Sequence, residues 1–445
     1  MCPRRAALAS LLFLLPATAA AQDSQYWTLQ YGPVAELLGG VVVGSTRDLS
    51  ATFYNPGALA LTRDPSLLAS VESFEATWLG AETEAPLLGF DDLSVRPSPT
   101  LFALALPRSW TGSHTLAISS LTRQDFDLRV DDWAVPSPQA GAESLFDQDL
   151  NENWFGLSWG HRVGERTSVG LTTYVVYRGQ RTRKEIFGQA SQSADRGGAA
   201  LLVEDFDYNH YRLLWKGGLA IQRDDWDLGL AVTTQSVPLF GSGSASYARS
   251  AVGADLGGGP RVEVAVQHEE DLESRYVSPW SVAVGGALRR GRNSYHATVE
   301  WFARVPAFHV LDPAPFASSP AADSLVKRLE QRARSVVNFG FGYQRRVSDR
   351  FSYYSAVTTD FTFADKDDSA ANSLSTWDIY HLTAGASFVL GSVTLTMGGA
   401  YAFGSDARTV TTVAVAPGAP PVLVASPLEV NFSRIRLLLG FDFGG

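Results

Sequence analysis

The chain has 445 residues, a formal net charge of −10 and one cysteine, Cys2. The acidic balance argues against nucleic acid as a partner, and a lone cysteine at the extreme N-terminus excludes a disulfide framework. After the first residues no segment reaches the roughly twenty apolar residues that a membrane-spanning helix needs. The length would fit two or three soluble domains, yet no Pro/Ser-rich linker divides the chain, so one large unit is expected.

Residues 1–21 read as a secretory signal peptide: Arg4 and Arg5, an apolar stretch from Ala6 to Leu15, and Ala19-Ala20-Ala21 before Gln22. Cys2 precedes the apolar stretch, whereas a lipid-modified cysteine would follow it. Loss of this leader with its two arginines takes the net charge from −10 to −12. An exported chain without a helical anchor points to the bacterial cell outer membrane.

Residues 22–65 do not alternate. They are rich in glycine (Gly32, Gly39, Gly40, Gly44, Gly57) and contain the run Asp48-Leu49-Ser50-Ala51-Thr52-Phe53-Tyr54-Asn55-Pro56-Gly57. Asn-Pro-Gly is strong turn chemistry, because proline fixes φ and glycine tolerates a positive φ after it. The small apolar residues Val41, Val42, Val43, Ala58, Leu59 and Ala60 favour a plug over a free polar tail.

From residue 66 to 445 short segments alternate. Phe155, Leu157 and Trp159 stand against Gly156, Ser158 and Gly160, and Ile435, Leu437, Leu439, Phe441 and Phe443 stand against Arg434, Arg436, Gly440 and Asp442. A period of two gives a strand with unlike faces. An oily face opposed to one of Gly, Ser, Thr and Arg fits a membrane barrel, oily outside and wet inside. Strands are expected near 66–79, 98–108, 114–124, 151–163, 167–178, 208–222, 225–236, 276–289, 293–306, 334–346, 350–362, 376–390, 392–404 and 430–443. The fold class is therefore all-β: a transmembrane antiparallel barrel of about fourteen strands with an N-terminal lumen plug.

The gaps alternate between short turns and long loops, the long ones at 80–97, 125–150, 179–207, 237–275, 307–333, 363–375 and 405–429. Barrels of this kind keep short turns in the periplasm and long loops outside. Residues 237–275 read as a loop excursion; if its Tyr247–Arg249 and Val262–Gln267 segments spanned the membrane, the count would become about sixteen. Ala321–Ala333, with Leu325, Val326 and Leu329, reads as a short amphipathic helix. Trp154, Trp226, Trp280, Trp301, Trp377, Tyr353 and Tyr401 fall near strand ends, where interfacial aromatics belong.

No enzymatic constellation is present, and no cofactor or metal is called for: the seven histidines are scattered without metal-ligand spacing. His161, His210, His296 and His381 read as lumen-facing or interfacial. Arg212 and Lys216 share the strand face opposite Tyr211, Leu213 and Trp215; His296, Glu300 and Arg304 oppose Tyr295, Val299 and Trp301; Arg434 and Arg436 follow the same parity. Two readings stand open for Arg212, Lys216, Arg434 and Arg436: a lumen patch holding a carboxylate, or a salt-bridge ladder and plug anchor.

The run from Gly39-Gly40 through Asp48 to Asn55-Pro56-Gly57-Ala58-Leu59-Ala60 resembles the N-terminal hatch of the FadL/TodX family of outer-membrane transporters. Size, strand number and loop order are similar too. Gly57 departs from the alanine usual there. The resemblance implies passive uptake of hydrophobic compounds, such as long-chain fatty acids or hydrocarbons, with Asp48, Asn55, Pro56 and Gly57 in the gating hatch. The partners implied are hydrophobic small molecules and outer-membrane lipid; the oligomeric state is open. Two alternatives share the architecture: a PorV-like barrel that binds secretion-system partners, and a general porin with an open lumen.

Overall fold

The computed structural model describes residues 24–62, 67–83, 90–193, 196–254, 261–317, 319, 324–364, 376–391, 393–416 and 419–443. The expected leader, residues 1–21, lies outside them, as do Gly444 and Gly445.

The strands run in chain order as β1 (Leu67–Thr83), β2 (Phe90–Ala105), β3 (His114–Ser137), β4 (Ala140–Gly164), β5 (Thr167–Ser193), β6 (Arg196–Gln222) and β7 (Trp226–Thr233). A pair follows, β8 (Val237–Ala254) and β9 (Arg261–Glu273), then β10 (Ser281–Arg290) and β11 (Asn293–Phe302). Four short pieces come next: β12 (Val305–Leu311), β13 (Phe316–Ala317), β14 (Ser324–Leu325) and β15 (Leu329–Ala333). The last five are β16 (Val336–Ser348), β17 (Phe351–Asp360), β18 (Ile379–Leu390), β19 (Val393–Ala414) and β20 (Val422–Phe443). Among the described residues, fourteen of these close one antiparallel ring: β1–β7, β10, β11 and β16–β20. The ring shuts where β20 returns to β1, with pairs such as Ala76–Ile435.

Alternation sets the two surfaces. In β4, Phe155 and Leu157 are 51% and 57% exposed on the outside, while Ser158 is buried inside and hydrogen-bonds Thr172 of β5 at 2.8 Å. In β20, Ile435, Leu437 and Phe441 face out, and Arg434 and Arg436 are buried inside. A wall that is oily outside needs its charges within, since a cation on the lipid face near the midplane costs about 2–4 kcal/mol.

The expected loops at 125–150, 179–207 and 405–429 are instead continuations of the wall: β3–β4, β5–β6 and β19–β20 remain paired through them. Their sidedness is inverted. Phe126, Leu128, Val130 and Leu150 are buried inside with Leu79, Trp377, Ile379, Leu428, Val430 and Phe432, while Arg129 and Asp131 are exposed outside. The change of phase in β3 comes at a bulge between Thr122 and Gln124, which moves the inward set from odd to even positions. Beyond the bulge the strands enclose an apolar core of their own.

Residues 237–275 do form a hairpin, but β8 pairs with the far half of β6 (Ala199 to Leu213) while β7 takes the near half (Lys216 to Gln222). The hairpin is thus a side branch and the ring stays at fourteen. The helix expected over Ala321–Ala333 is not present in the described part: Ser324–Leu325 and Leu329–Ala333 are strands, the second paired with β12. An isolated helix of three turns is marginal, and the free edge of β12 offers these residues backbone partners.

Five of the expected interfacial aromatics, Trp226, Trp280, Trp301, Tyr353 and Tyr401, are exposed on the outside. Trp154 and Trp377 are not: both are buried within, Trp154 against the plug and Trp377 in the apolar core of the outer stack. Arg304 is likewise exposed beyond the end of β11 instead of joining His296 and Glu300.

Residues 24–62 fill the inside of the ring. They form two short helices, α1 (Pro33–Leu37) and α2 (Ala51–Tyr54), and a 3-10 turn at Pro56–Leu61. Helix α1 lies against β18–β20, where the Thr383 hydroxyl donates to Leu37 O at 3.0 Å. The 3-10 turn lies against β4–β7, where the Ser168 hydroxyl donates to Gly57 O. Leu29, Tyr31, Leu37, Leu38, Leu49 and Leu59 form one apolar cluster with wall residues Leu68, Leu101, Leu121, Trp154 and Tyr174. Burial of this kind contributes roughly 25 cal/mol per Å2 of apolar surface, so the plug shares a core with the wall.

Candidate functional site

The plug is seated by small residues on both sides. Asn55 is fully buried: its Oδ1 accepts from Gly57 N at 3.0 Å, and its Nδ2 donates to Val43 O at 2.8 Å and Leu219 O at 3.0 Å. One side chain therefore closes its own turn, ties two stretches of the plug and fixes both to β6. Pro56 starts the 3-10 turn with its fixed φ, and its carbonyl rests on Gly170 of β5. Gly57 lies backbone to backbone on Gly218; a Cβ there would come 2.7 Å from the Gly218 carbonyl. The glycine at this position, where the resembling family has alanine, thus has a packing reason. Asp48 accepts from Ser50 N at 2.9 Å and from the Ser50 hydroxyl, shaping the turn into α2.

A second seat holds the first residues of the plug. Asp360, fully buried at the long-loop end of β17, accepts from Tyr26 N at 3.0 Å, Trp27 N at 2.8 Å, Thr28 Oγ1 at 3.1 Å and Asn338 Nδ2 at 3.3 Å. A carboxylate surrounded by donors is a strong acceptor. Asp360 stands at an inward position of its strand (Tyr354, Ala356 and Thr358 precede it), so parity was the available signal for a residue that sequence reading passed over.

Between the plug and the outer stack lies a cavity of about 1050 Å3, counting its mouth. Its floor is aromatic and comes from the plug: Tyr26, Trp27, Phe53 and Tyr54. The wall adds Trp154, Leu214 and Phe302, and Tyr276, Phe308 and Phe363 lie toward the outside. Ligand sites are typically concave, mostly apolar and supplied with a few placed polar groups. Those groups here are mostly engaged. Glu152 pairs with Arg178 at 3.0 Å and Arg212 at 2.7 Å and accepts from Trp154 Nε1 at 2.7 Å. Glu300 accepts from Trp27 Nε1 at 2.8 Å and the Ser281 hydroxyl at 2.7 Å.

The four arginine and lysine candidates separate. Arg212 and Lys216 line the cavity, whereas Arg434 and Arg436 are not among its lining residues. Arg212 is tied to Glu152 and lies over the Tyr276 ring at 4.9 Å. Arg434 pairs with Glu75 of β1 at 3.3 Å. Lys216 has no carboxylate at ion-pair distance among the described residues; its ammonium lies 4.4 Å from the centre of the Phe53 ring. Arg123, which the sequence did not single out, joins it there, 5.7 Å over the same ring. Its Nη2 donates to Tyr26 O while Nη1 is buried without a hydrogen-bond partner among the described residues.

Arg123 belongs to the β3 bulge, and the bulge marks a seam in the wall. Among the described residues, strands β2 and β3 pair only from Leu101–Leu121 to Ala105–Ala117. Above that point β2 stays with β1 and β3 stays with β4. The plug reaches the base of this seam: the Tyr31 hydroxyl donates to Thr122 O at 3.0 Å, and Arg123 and Gln124 also line the cavity.

No protein-family model matches this sequence, and no curated protein matches it. Solved structures do match its fold. A Pseudomonas aeruginosa FadL homologue aligns with a TM-score of 0.59 at 11% identity, over 95% of this chain and 100% of that one. The P. putida toluene transporter TodX aligns with a TM-score of 0.62 at 11% identity, over 94% and 99%. The monoaromatic hydrocarbon channel CymD aligns with a TM-score of 0.52 at 13% identity, over 94% and 98%. The chain thus has the FadL/TodX type of fold, a plugged barrel of fourteen strands.

Proposed function

We propose that this barrel is a bacterial outer-membrane channel for passive uptake of hydrophobic compounds, with residues 24–62 as its gating hatch. The observation that carries the reading is the cavity itself: an aromatic pocket floored by the plug, closed toward the short-turn end by that plug, and adjoining a seam in the wall. The toluene and hydrocarbon channels that share the fold support this class of cargo. A hydrophobic solute enters from the outer stack and loses water against Phe53, Trp154 and Phe302. It leaves when the plug shifts, and the base of the β2–β3 seam, beside Leu101 and Leu121, offers a sideways exit into lipid. A fatty acid would place its carboxylate near Lys216 and Arg123, cavity cations with no carboxylate at ion-pair distance among the described residues. Asp48, Asn55, Pro56 and Gly57 would set the resting position of the hatch.

The test is flux. Liposomes containing the folded barrel should admit toluene or a long-chain fatty acid faster than empty ones. An equal rate, with the barrel intact, overturns the reading, and a large ionic conductance would favour an open porin instead.

A further inference from the structure

At the short-turn end the outer wall carries two arginines on its oily side. Positions 337, 339, 341, 343 and 345 of β16 all face outward, so Arg345 continues the row of Phe339, Phe341 and Tyr343. In β10, Arg290 likewise continues the row of Val284 and Leu288. The register places them in one line across the wall: Arg290 opposite Asn293, Asn293 opposite Arg345, and Arg345 opposite Tyr353. Two strand spacings separate the arginines, about 10 Å, with the short Asn293 between them.

The line sits at the level where a bilayer turns polar. Tyr295, Tyr343 and Tyr353 form a run of rings on the same face, 5.5 Å and 6.0 Å apart centre to centre, and the Tyr343 hydroxyl donates to Asn293 Oδ1 at 2.8 Å. Such tyrosines mark a membrane–water interface. The neighbouring Arg289 turns inward to Asp227. Arg290 and Arg345 are exposed, and neither has a carboxylate at ion-pair distance among the described residues. A soluble protein cannot reach side chains that continue a lipid-facing row; the anion available at that depth is a headgroup phosphate.

We propose that Arg290 and Arg345, with Asn293 between them and Tyr295, Tyr343 and Tyr353 alongside, form a binding site on the outer wall for the phosphate headgroup of an anionic phospholipid. The inference rests on the membrane placement given above and is independent of cargo. Each arginine near a charged bilayer surface is worth about fivefold in affinity, and arginine matches phosphate geometry with two parallel donors.

The full barrel in nanodiscs of equal phosphatidylglycerol and phosphatidylcholine, released into mild detergent, reports retained lipid by native mass spectrometry. The wild type should retain phosphatidylglycerol preferentially. R290Q and R345Q should each lose about fivefold of that preference and the double variant tenfold or more, with R290K/R345K keeping part of it. R129Q, on the outer stack, should change nothing. Heat-modifiable migration reports whether each variant folds, and the two single variants keep the test open if the double one does not. Unchanged retention in the double variant overturns the site, as does a wild type without preference. Complete displacement by inorganic phosphate would mean a bare anion site and also overturns it. A barrel that retains the lipid yet conducts no cargo overturns the channel reading alone.

Discussion

Asn55 of the plug and Gly218 of β6 approach so closely that a Cβ on Gly218 would overlap the Asn55 Oδ1. The plug is therefore held against the wall by backbone contact at glycines, and the hydrogen bonds of Asn55 are made only because no side chain stands between. Gly170 against Pro56, Gly229 against the Val43 carbonyl and Gly44 against Gly285 repeat the arrangement along β5, β7 and β10.

Gly218→Ala should unseat this part of the hatch without opening the ring. Overpacking of this kind costs about 1–3 kcal/mol, so hydrogen exchange across residues 41–59 should speed by about fivefold or more while the folded barrel keeps its gel mobility. Gly57→Ala should act in the same direction, although alanine is usual at this position in the resembling family. Unchanged exchange in both variants would mean that the close packing does not hold the plug.

Asn55→Ala leaves the carbonyls of Val43 and Leu219 buried without their donor. Each such group costs about 1–3 kcal/mol. The hatch should open more often, and flux of a hydrophobic solute should rise. A drop in flux with the barrel intact would mean that Asn55 shapes the pathway rather than restrains the plug.

Asp360→Ala removes the acceptor shared by Tyr26 N, Trp27 N and Thr28 Oγ1. Exchange should rise at residues 26–28 and stay unchanged at 41–59, the opposite of the Gly218 pattern. Equal loosening of both stretches would show that the two seats are one cooperative unit.

Lys216→Met tests the head of the cargo. It keeps most of the length of the side chain but removes the ammonium that lies over Phe53. Uptake of a long-chain fatty acid should slow several-fold while toluene is unaffected. Arg212→Met, by contrast, strips Glu152 of one of its two ion-pair partners; breaking a buried pair costs about 3–5 kcal/mol, and a lower melting temperature should accompany any change in flux.

Replacing residues 239–273 with a short Gly-Ser link should leave the ring closed, because β7 already covers β6 from Lys216 to Gln222. Folded gel mobility should survive. The outer roof of the cavity should loosen, since Ala245 and Leu272 pack there with Phe206, Tyr208 and Tyr276.

The site was legible unevenly. Arg212 and Lys216 were visible from parity alone, and Asn55 from its turn chemistry. Arg123 was not, because it sits in a bulge where the phase of the strand changes. Asp360 obeys parity but reads as an ordinary polar strand end until the plug is placed beside it. The outer hairpins were missed for a related reason: Phe126, Leu128 and Val130 alternate with acids and an arginine, a pattern that resembles a solvated loop when an oily outside is the template.

What the sequence by itself determined is the wall. Alternation is a local property of each strand, so the number of wall strands and their oily outer face follow from it without any long-range contact. Only the tertiary structure decided where β6 divides its edge between β7 and β8, where β2 leaves β3, and which glycines receive the plug. These depend on residues far apart in the chain meeting at a given register, such as Asn55 with Leu219 and Tyr26 with Asp360, and no periodicity within a strand encodes its neighbour.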